Sequence, residues 1–376
     1  MCTAAIIDLV IGEILKTGIR TRAGVRAFTL ATTAGVLSGA VVLASLSATP
    51  AMAASPAPAV DADLDGDSLT DLVAIGGDHG IASGLWLASG KGNGRIARAA
   101  ANIGSHGNGV FSPGTVGSPT DFDGAQVLTG HFFGTDLQDV LVYYPPAHTR
   151  APGGAVVLRG NGDGSTIEAE FDQNYHNINA GTFTGFDWDD FQTINNPIQL
   201  ANAGAHDTTY PDLIGIAGKD DGSSFLTYYP NNGTIGGYSE VFALSVPTPT
   251  GGTDWNTWTI ATAQTGSGTA LFLRQASTGK LFLWNDFTRT AAGTAGYTPY
   301  LLSDTFHTGE DVTLYAADVD SDGTGDLWTV GDRGVAVAWL VNNLDSAGST
   351  GTVTAQRSQK LRTEGSDKRV RSTKRT

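Results

Sequence analysis

Cysteine is almost absent from this chain of 376 residues, in which Cys2 is the only thiol. A single thiol excludes an internal disulfide framework, and it removes the thiolates on which many structural zinc sites depend. Long apolar runs and long segments with helical periodicity are also missing after residue 53. What remains is rich in glycine, with 50 glycines between short apolar stretches. This composition predicts an all-β protein with many turns.

Basic side chains are scarce in the central part of the chain, where residues 54–356 contain ten of them against 33 acidic ones. Such an acidic surface repels phosphate backbones, and we therefore predict no nucleic-acid partner. Eight of the other basic residues are concentrated in residues 357–376. This run predicts a basic, disordered tail in contact with solvent.

Residues 1–53 differ in composition from the rest and predict a signal peptide. Four basic residues between positions 16 and 26 precede an apolar stretch from Phe28 to Leu46. The tripeptide Ala51-Met52-Ala53 has the small-x-small form of a signal-peptidase site, so cleavage is predicted between Ala53 and Ala54. The mature chain is then expected outside the cell, without a thiol and without a segment inserted in a membrane. An uncleaved membrane anchor is the alternative interpretation.

No catalytic motif is recognisable in the sequence. It lacks a nucleophile elbow, a phosphate-binding loop and a zinc motif, and its seven histidines are scattered singly. The run Asp187-Trp188-Asp189-Asp190 places carboxylates beside an aromatic ring, which suits a sugar-cleaving site. A similar pattern recurs elsewhere in the chain, however, and this recurrence favours a structural role. We therefore predict no catalytic residues and no enzyme activity.

Two aspartate ladders, one near each end of the central region, carry the strongest chemical pattern. Each has carboxylates at positions 1, 3, 5 and 9 of a nine-residue loop, and an apolar stretch follows at once. Unpaired carboxylates at this spacing repel one another unless a cation is bound, and an all-oxygen donor set suits Ca²⁺. With the backbone carbonyl at position 7, the predicted ligands of two calcium ions are Asp63, Asp65, Asp67, Leu69 and Asp71 in the first loop, and Asp318, Asp320, Asp322, Thr324 and Asp326 in the second. A pair of solvated acidic turns is the alternative.

An EF-hand does not fit these loops. That motif needs an acidic residue at position 12, where the two loops have Ala74 and Thr329, and it needs helices on both sides. The segment from Asp318 to Leu327 closely resembles the calcium loop of the FG-GAP (VCBS-type) repeat. The segment from Asp63 to Leu72 resembles it too, except that Ser68 stands at a position where glycine is usual.

The FG-GAP family includes integrin α-chain propellers and many secreted bacterial proteins. The resemblance therefore implies a β-propeller of four-stranded blades, with calcium bound in loops between strands. It also implies an extracellular protein that binds other molecules. Integrin propellers have seven blades, whereas the repeats recognisable in this chain are fewer.

The apolar strand that follows each ladder recurs between the ladders. Its first residues are Leu72, Val140, Leu213, Leu271 and Leu327, at intervals of 68, 73, 58 and 56 residues. A second marker precedes three of these strands, as Asp121-Phe122-Asp123, Asp187-Trp188-Asp189 and Asp254-Trp255-Asn256. Each unit has room for four strands, and one such blade buries its two faces only by stacking against neighbours. We predict a β-propeller over residues 54–356, with five recognisable blades and five to seven in all.

The three middle repeats have lost the ladder, and no metal ligand is predicted in them. Where the outer repeats have acidic residues at positions 1, 3 and 5, the middle ones have His131, Phe133 and Thr135, then Gly204, His206 and Thr208, and then Thr262, Gln264 and Gly266. His131 and His206 have no second histidine or thiolate at a useful spacing. They are therefore predicted to pack locally or to contact solvent.

Two functions are consistent with these patterns. The first is a secreted, calcium-stabilised scaffold for binding or adhesion, which acts as a monomer on an extracellular glycan or protein. For sugar stacking the candidate side chains are Tyr143, Tyr144, Tyr228, Tyr229, Trp255 and Trp258. The second is a polysaccharide lyase or hydrolase built on a propeller, or the accessory part of a longer secreted enzyme. Fold alone does not decide between them.

Overall fold

The computed structural model describes residues 60–104, 118–148, 152–165, 175–187, 191–290 and 293–363. All of them belong to one of the two units into which the chain divides, Ser55–Thr376. The other unit, Met1–Ala54, contains the predicted signal peptide and the Ala53–Ala54 cleavage site, and it lies outside the described residues. In the described ranges, no helix has the length and apolar character needed to cross a membrane.

The described residues form strands joined by turns, which confirms the prediction of an all-β protein. The only helical segments in these ranges are four 3-10 turns, Pro119–Phe122, Ala180–Phe183, Trp255–Thr257 and Asp332–Gly334. The strands are β1 (Leu72–Ile75), β2 (Leu85–Ala88), β3 (Ala101–Asn102), β4 (Gln126–Gly130), β5 (Asp139–Tyr143), β6 (Ala155–Leu158), β7 (Tyr175–Ile178), β8 (Gly185–Asp187), β9 (Gln192–Ile194), β10 (Gln199–Gly204), β11 (Asp212–Gly218), β12 (Ser224–Tyr229), β13 (Phe242–Ala243), β14 (Trp258–Thr265), β15 (Gly268–Gln275), β16 (Lys280–Arg289), β17 (Ala295–Ser303), β18 (Thr313–Ala317), β19 (Asp326–Gly331), β20 (Val335–Asp345), β21 (Thr350–Ala355) and β22 (Gln359–Lys360).

Strands that follow one another in sequence pair antiparallel, and they divide the chain into five repeats. Repeat 1 is β1–β3, repeat 2 is β4–β7, repeat 3 is β10–β13, repeat 4 is β14–β17 and repeat 5 is β18–β21. A parallel bridge between Leu301 and Thr350 joins repeats 4 and 5 into one sheet. The two outer strands of this sheet, β14 and β18, lie side by side, so the sheet is nearly closed and barrel-like.

The five residues that mark the sequence repeat all lie in corresponding strands, namely β1, β5, β11, β15 and β19. These strands are buried on both faces. Successive side chains point in opposite directions, so each strand contributes to the packing on both of its sides. In β5, for example, Val140 and Val142 pack against repeat 1, whereas Leu141 and Tyr143 pack against repeat 3. An apolar run without alternating polar residues is typical of a strand buried on both sides.

Hydrophobic cores lie between successive repeats. Four of them join repeats 1 and 2, 2 and 3, 3 and 4, and 4 and 5. A fifth joins the last repeat to the first, where Trp328 and Val330 pack with Leu72 and Trp86. Each repeat is therefore covered on both faces by its neighbours.

The first strands of repeats 2 to 5 surround a central cavity of about 430 Å³. Repeat 1 contributes β1 and residues 61–62 to the same lining, since no strand precedes β1 within the described residues. Side-chain amides connect the lining strands. The Gln126 side chain donates to the Ile198 carbonyl and accepts from the Leu200 N–H, both at 3.0 Å. Gln199 of β10 makes the same pair of bonds with β14.

The second sequence marker adopts two different structures. In front of β4 and β14 it forms 3-10 turns that bury Phe122 and Trp255. The copy before repeat 3 is different, because Asp187 ends β8 in the separate hairpin β8–β9. There its carboxylate lies 2.7 Å from the Lys219 ammonium. The other two residues of this marker, 188 and 189, lie outside the described residues.

The chain continues as part of the fold beyond residue 357, where the sequence predicted a disordered tail. We call residues 359–363 the closing segment. Strand β22 pairs with β20 of repeat 5, and the next residues bond repeat 1, since the Ala100 N–H donates to the Arg362 carbonyl at 2.9 Å. Leu361 is 2% exposed within the core between repeats 1 and 5. The first seven residues of the predicted tail are thus part of the fold, and residues 364–376 lie outside the described residues.

Candidate metal centres

The first ladder loop, residues 63–71, leads from the cavity lining into β1. Carboxylate oxygens of Asp63, Asp65 and Asp71 lie within 4.8 Å of one another. The Asp63 side chain fixes the turn, because it accepts from the N–H groups of Gly66 at 2.8 Å and Ser68 at 3.0 Å. The loop therefore brings the carboxylates at positions 1, 3 and 9 together.

The second ladder loop, residues 318–326, joins β18 to β19 and repeats this geometry. Carboxylate oxygens of Asp318, Asp320 and Asp326 lie within 4.8 Å of one another. Asp318 accepts from the N–H groups of Asp322 and Gly323 at 3.1 and 3.0 Å. The Oδ1 atom of Asp320 is buried and has no hydrogen-bond partner among the described residues. An orphaned buried carboxylate oxygen that faces two further carboxylates suits a bound cation.

The glycine pattern of the two loops has a backbone cause. Positions 4 and 6 have positive φ in both loops, at Gly66 and Ser68 in the first and at Ser321 and Gly323 in the second. Glycine adopts this left-handed conformation without a steric penalty, whereas serine adopts it at some cost. Each loop thus uses one glycine and one serine, in opposite order. Ser68 occupies the position where the family resemblance leads one to expect glycine, without changing the turn.

Two predicted carboxylate ligands do not join these groups. Asp67 accepts from the Leu69 N–H at 2.9 Å, and its carboxylate lies 4.0 Å from the Lys91 ammonium. Asp322 accepts from the Thr324 N–H at 2.7 Å. The structure therefore brings together three of the four predicted carboxylates in each loop.

Burial and repulsion from neighbouring carboxylates raise the pKa of the position-9 aspartates, Asp71 and Asp326. Burial raises the pKa of Asp71 to about 6, and the nearby Asp65 charge adds to the rise. Burial raises the pKa of Asp326 to about 7, with smaller contributions from Asp320 and Asp322. Each loop thus concentrates negative charge that an oxygen-ligated divalent cation would neutralise.

The aspartate at position 9 has a second role that the sequence did not reveal. In four repeats this buried carboxylate accepts a backbone N–H from the next strand or from the residues directly after it. The four pairs are Asp71 with Gly90 at 2.7 Å, Asp139 with Gly160 at 3.0 Å, Asp212 with Asn231 at 2.7 Å and Asp326 with Val341 at 2.7 Å. The other oxygen accepts from the loop in repeats 1, 2 and 5, and from the Tyr228 hydroxyl in repeat 3. The sequence signal that could have revealed this role is the recurrence of Asp directly before the marker residues of repeats 1, 2, 3 and 5.

The histidines in the middle loops have local contacts. The Nδ1 atom of His131 lies 2.9 Å from the Thr135 carbonyl oxygen and 3.0 Å from that of Leu137. His206 is an exposed side chain, 3.2 Å from the Asp207 carboxylate. His131 therefore holds its own loop together, and His206 lies at the surface.

The aromatic side chains predicted to stack on sugars are buried, so that prediction is wrong. Tyr143, Tyr144, Tyr228, Tyr229, Trp255 and Trp258 are all at most 3% exposed. They lie in the cores between repeats because each belongs to, or directly follows, a strand or turn that is covered on both sides. The exposed aromatic side chains among the described residues are instead Phe186, at 45%, and Phe191, at 74%, on the β8–β9 hairpin.

No protein-family model and no curated protein sequence matches this chain. Among solved structures, the chain is similar to AofleA from Arthrobotrys oligospora, at 13% sequence identity and a TM-score of 0.31. The match covers 68% of this chain and 60% of that structure's chain. A likeness at this level carries no argument about function.

Proposed function

We propose that this chain is a secreted, calcium-stabilised β-propeller of five blades that serves as a scaffold for binding or adhesion. The propeller arrangement is supported by five successive antiparallel repeats, each packed between two others, and by the core that joins repeat 5 to repeat 1. It is also supported by the shared cavity at the first strands of the repeats. A blade of this size buries both faces only in such a ring.

One observation carries the proposal, namely that two carboxylate triads occur at equivalent positions of repeats 1 and 5. The donors are all oxygen atoms, which favours a hard cation such as Ca²⁺. Asp63, Asp65 and Asp71 would hold one ion, and Asp318, Asp320 and Asp326 the other. The remaining predicted ligands, Asp67, Asp322 and the carbonyls of Leu69 and Thr324, lie in the same loops. The FG-GAP resemblance of these loops points to the same function.

Calorimetry on the full chain tests the calcium proposal. We expect two Ca²⁺ ions per chain, with one lost in Asp65→Ala and the other lost in Asp320→Ala. Asp136→Ala is the matched control, since Asp136 is an exposed aspartate in the corresponding loop of repeat 2. A chain that binds no calcium, or single variants that leave two ions bound, would contradict the proposal.

The proposed partner is an extracellular glycan or protein, and the β8–β9 hairpin is the candidate contact surface. Exposed aromatic rings are typical of surfaces that bind other molecules, because they bury a large area at low entropic cost. Lys219 supports this hairpin through its 2.7 Å contact with Asp187 and through its position over the Phe225 ring. Phe191 is then the side chain that would contribute most to binding.

A glycan array and a screen for polysaccharide cleavage distinguish this function from the enzymatic alternative. We expect binding without cleavage, and we expect Phe191→Ala to weaken it. Ile198→Ala is the control, since Ile198 is an exposed apolar residue outside the hairpin. Secretion is tested separately by mass analysis of culture supernatant, where the expected N-terminal residue is Ala54.

A further inference from the structure

A third group of metal-ligand side chains lies at the opposite end of the strands from the ladder loops. Asp78 and His79 follow the end of β1, and Asp311 precedes the start of β18. Since the ladder loops lie before β1 and after β18, the three residues occupy the other end of these strands. Their ligand atoms lie within 4.8 Å of one another, and Asp78 and His79 also line the central cavity.

His79 is the residue that distinguishes this group from a surface cluster of acidic residues. Its side chain is only 7% exposed, and its Nε2 atom lies 3.7 Å from the Asp78 carboxylate, which is too far for a hydrogen bond. No group in the described ranges hydrogen bonds the ring. His79 therefore leaves its ring nitrogens to water or to another ligand, and a neutral imidazole is a common metal ligand. Its ring faces the carboxylates, where a metal ion would satisfy it.

Backbone contacts fix His79 independently of any ligand. Its N–H donates to the Asp78 side chain at 2.6 Å, and its carbonyl accepts from the Gly334 N–H of repeat 5 at 2.6 Å. The residue has a φ of 49°, in the left-handed region that most side chains avoid. This loop of repeat 1 is therefore held against repeat 5 with the imidazole directed at the group.

The segment before Asp311 is also anchored. The guanidinium of Arg274, which is itself 2% exposed, donates to the carbonyls of His307 at 2.5 Å and Glu310 at 2.7 Å. These bonds hold the chain directly before Asp311 against repeat 4. Both sides of the group are thus positioned by the fold, as a preformed ligand site requires.

We propose that Asp78, His79 and Asp311 bind a first-row transition-metal dication of the zinc type. One imidazole nitrogen and two carboxylate oxygens form a mixed donor set that suits such ions, whereas Ca²⁺ takes oxygen ligands alone. Three protein ligands leave a coordination position for water or an external ligand. Because Asp78 and His79 belong to repeat 1 and Asp311 leads into repeat 5, the ion cross-links the two repeats at the end opposite the ladder loops.

Zinc titration of the full chain in saturating Ca²⁺ tests this site, with calorimetry and the absorption spectrum of bound Co²⁺ as readouts. We expect one Zn²⁺ per chain and a Co²⁺ spectrum typical of nitrogen and oxygen ligands. His79→Asn and Asp311→Asn should each weaken zinc binding by about tenfold or more. Asparagine tolerates positive φ, so His79→Asn is expected to fold, and unchanged calcium binding verifies that it does.

His206→Asn is the matched control, since His206 is an exposed histidine 3.2 Å from an aspartate carboxylate. It should leave zinc binding unchanged. The proposal is overturned if the wild type binds no zinc, if His206→Asn removes the binding, or if either His79→Asn or Asp311→Asn binds zinc as tightly as the wild type.

Discussion

Repeats 1 and 5 contain a complete aspartate ladder, whereas repeats 2 and 3 keep only its last member. In repeats 1 and 5 that last residue, Asp71 or Asp326, faces two further carboxylates. In repeats 2 and 3 its equivalents, Asp139 and Asp212, still accept a backbone N–H from the segment directly after the following strand. The comparison separates two roles of one residue. A single buried aspartate joins the segments of a repeat, and the rest of the ladder adds the other carboxylates of the proposed cation site.

Repeat 4 lacks even the aspartate at position 9 of the ladder. Ala270 occupies the equivalent position, directly before Leu271. A side chain at Gly325, in the ladder loop of repeat 5, would place its Cβ only 2.7 Å from the Ala270 Cβ. Gly325 is thus required by close packing against repeat 4. Where the neighbouring loop packs this tightly, apolar contact replaces the hydrogen bonds of the buried aspartate.

Calcium removal should have the largest effect, and it should act only through repeats 1 and 5. At a hundredfold excess of Ca²⁺ over Kd, each site adds about 2.7 kcal/mol to the free energy of unfolding, or about 5 kcal/mol for both. Denaturant unfolding with calcium and with chelator measures this difference. The variants Asp65→Ala and Asp320→Ala should each lose about half of it.

The same experiment also tests whether calcium acts on the middle repeats. Asp207→Ala, in the loop of repeat 3, should leave the calcium dependence unchanged, because Asp207 is exposed and outside both triads. If chelator leaves the stability of the wild type unchanged, then calcium does not stabilise repeats 1 and 5, and they do not differ from the middle repeats in this respect.

The closing segment provides the next largest effect. Leu361→Ala should lower the free energy of unfolding by about 2–5 kcal/mol, since it leaves a cavity in the core between repeats 1 and 5. Leu137→Ala, at a leucine that is 38% exposed in repeat 2, is the matched control and should cost much less. Denaturant unfolding in saturating calcium measures both. Equal losses would mean that the closing segment does not stabilise the interface between the two ladder repeats.

The sequence predicted the strands that are buried on both faces and missed those around the cavity. Runs such as Val140 to Tyr143 are apolar at every position, so they stand out without an alignment. The first strands of repeats 2 to 5 line the cavity, and polar residues such as Gln126 and Asn202 interrupt their apolar pattern. The closing segment was mistaken for a tail because only Leu361 and Thr363 are buried among charged neighbours.

For the site, the sequence predicted the two loops but not which carboxylates meet. Spacing places Asp67 and Asp322 in the ladders, yet both side chains bond the backbone two residues ahead. Which carboxylates join a triad and which only bond their own turn is not visible in a linear pattern. The group of Asp78, His79 and Asp311 was missed for another reason, since Asp311 lies 232 residues after His79 in sequence and meets it only when repeats 1 and 5 pack.

Removal of the buried aspartate from a middle repeat tests its structural role alone. Asp139→Ala leaves the N–H groups of Phe133 and Gly160 without their acceptor. Each lost bond to a buried donor costs about 1–3 kcal/mol, and release of a buried charge offsets part of this, so we expect a net loss of about 2–4 kcal/mol. The loss should be the same with calcium and with chelator. A loss that depends on calcium would show that repeat 2 also takes part in metal binding.

The smallest expected effect is the pH dependence that Asp139 adds to stability. Burial raises the pKa of Asp139 from its usual value of 3.8 to about 6, against the opposing charges of His131 and Arg159 and the two backbone N–H groups. The folded state therefore holds a proton on this group between about pH 4 and pH 6, where the unfolded chain has lost it. The stabilising contribution of the protonated form is complete below pH 3.8 and is lost as the pH rises through about 6.

This contribution to the free energy of unfolding is on the order of 1–3 kcal/mol, because a tenfold change in a protonation equilibrium corresponds to about 1.4 kcal/mol. Asp139→Asn removes the titration while keeping the size of the side chain, and groups that do not interact with Asp139 titrate alike in both proteins. The stability of the wild type relative to Asp139→Asn should therefore be greatest near pH 4 and should decline by pH 7. We would measure it by denaturant unfolding at constant ionic strength and in chelator, so that the ladder loops contribute equally to both proteins. A difference that stays constant over this range would mean that the buried aspartate of repeat 2 is ionised throughout, and that its hydrogen bonds outweigh the cost of burying its charge.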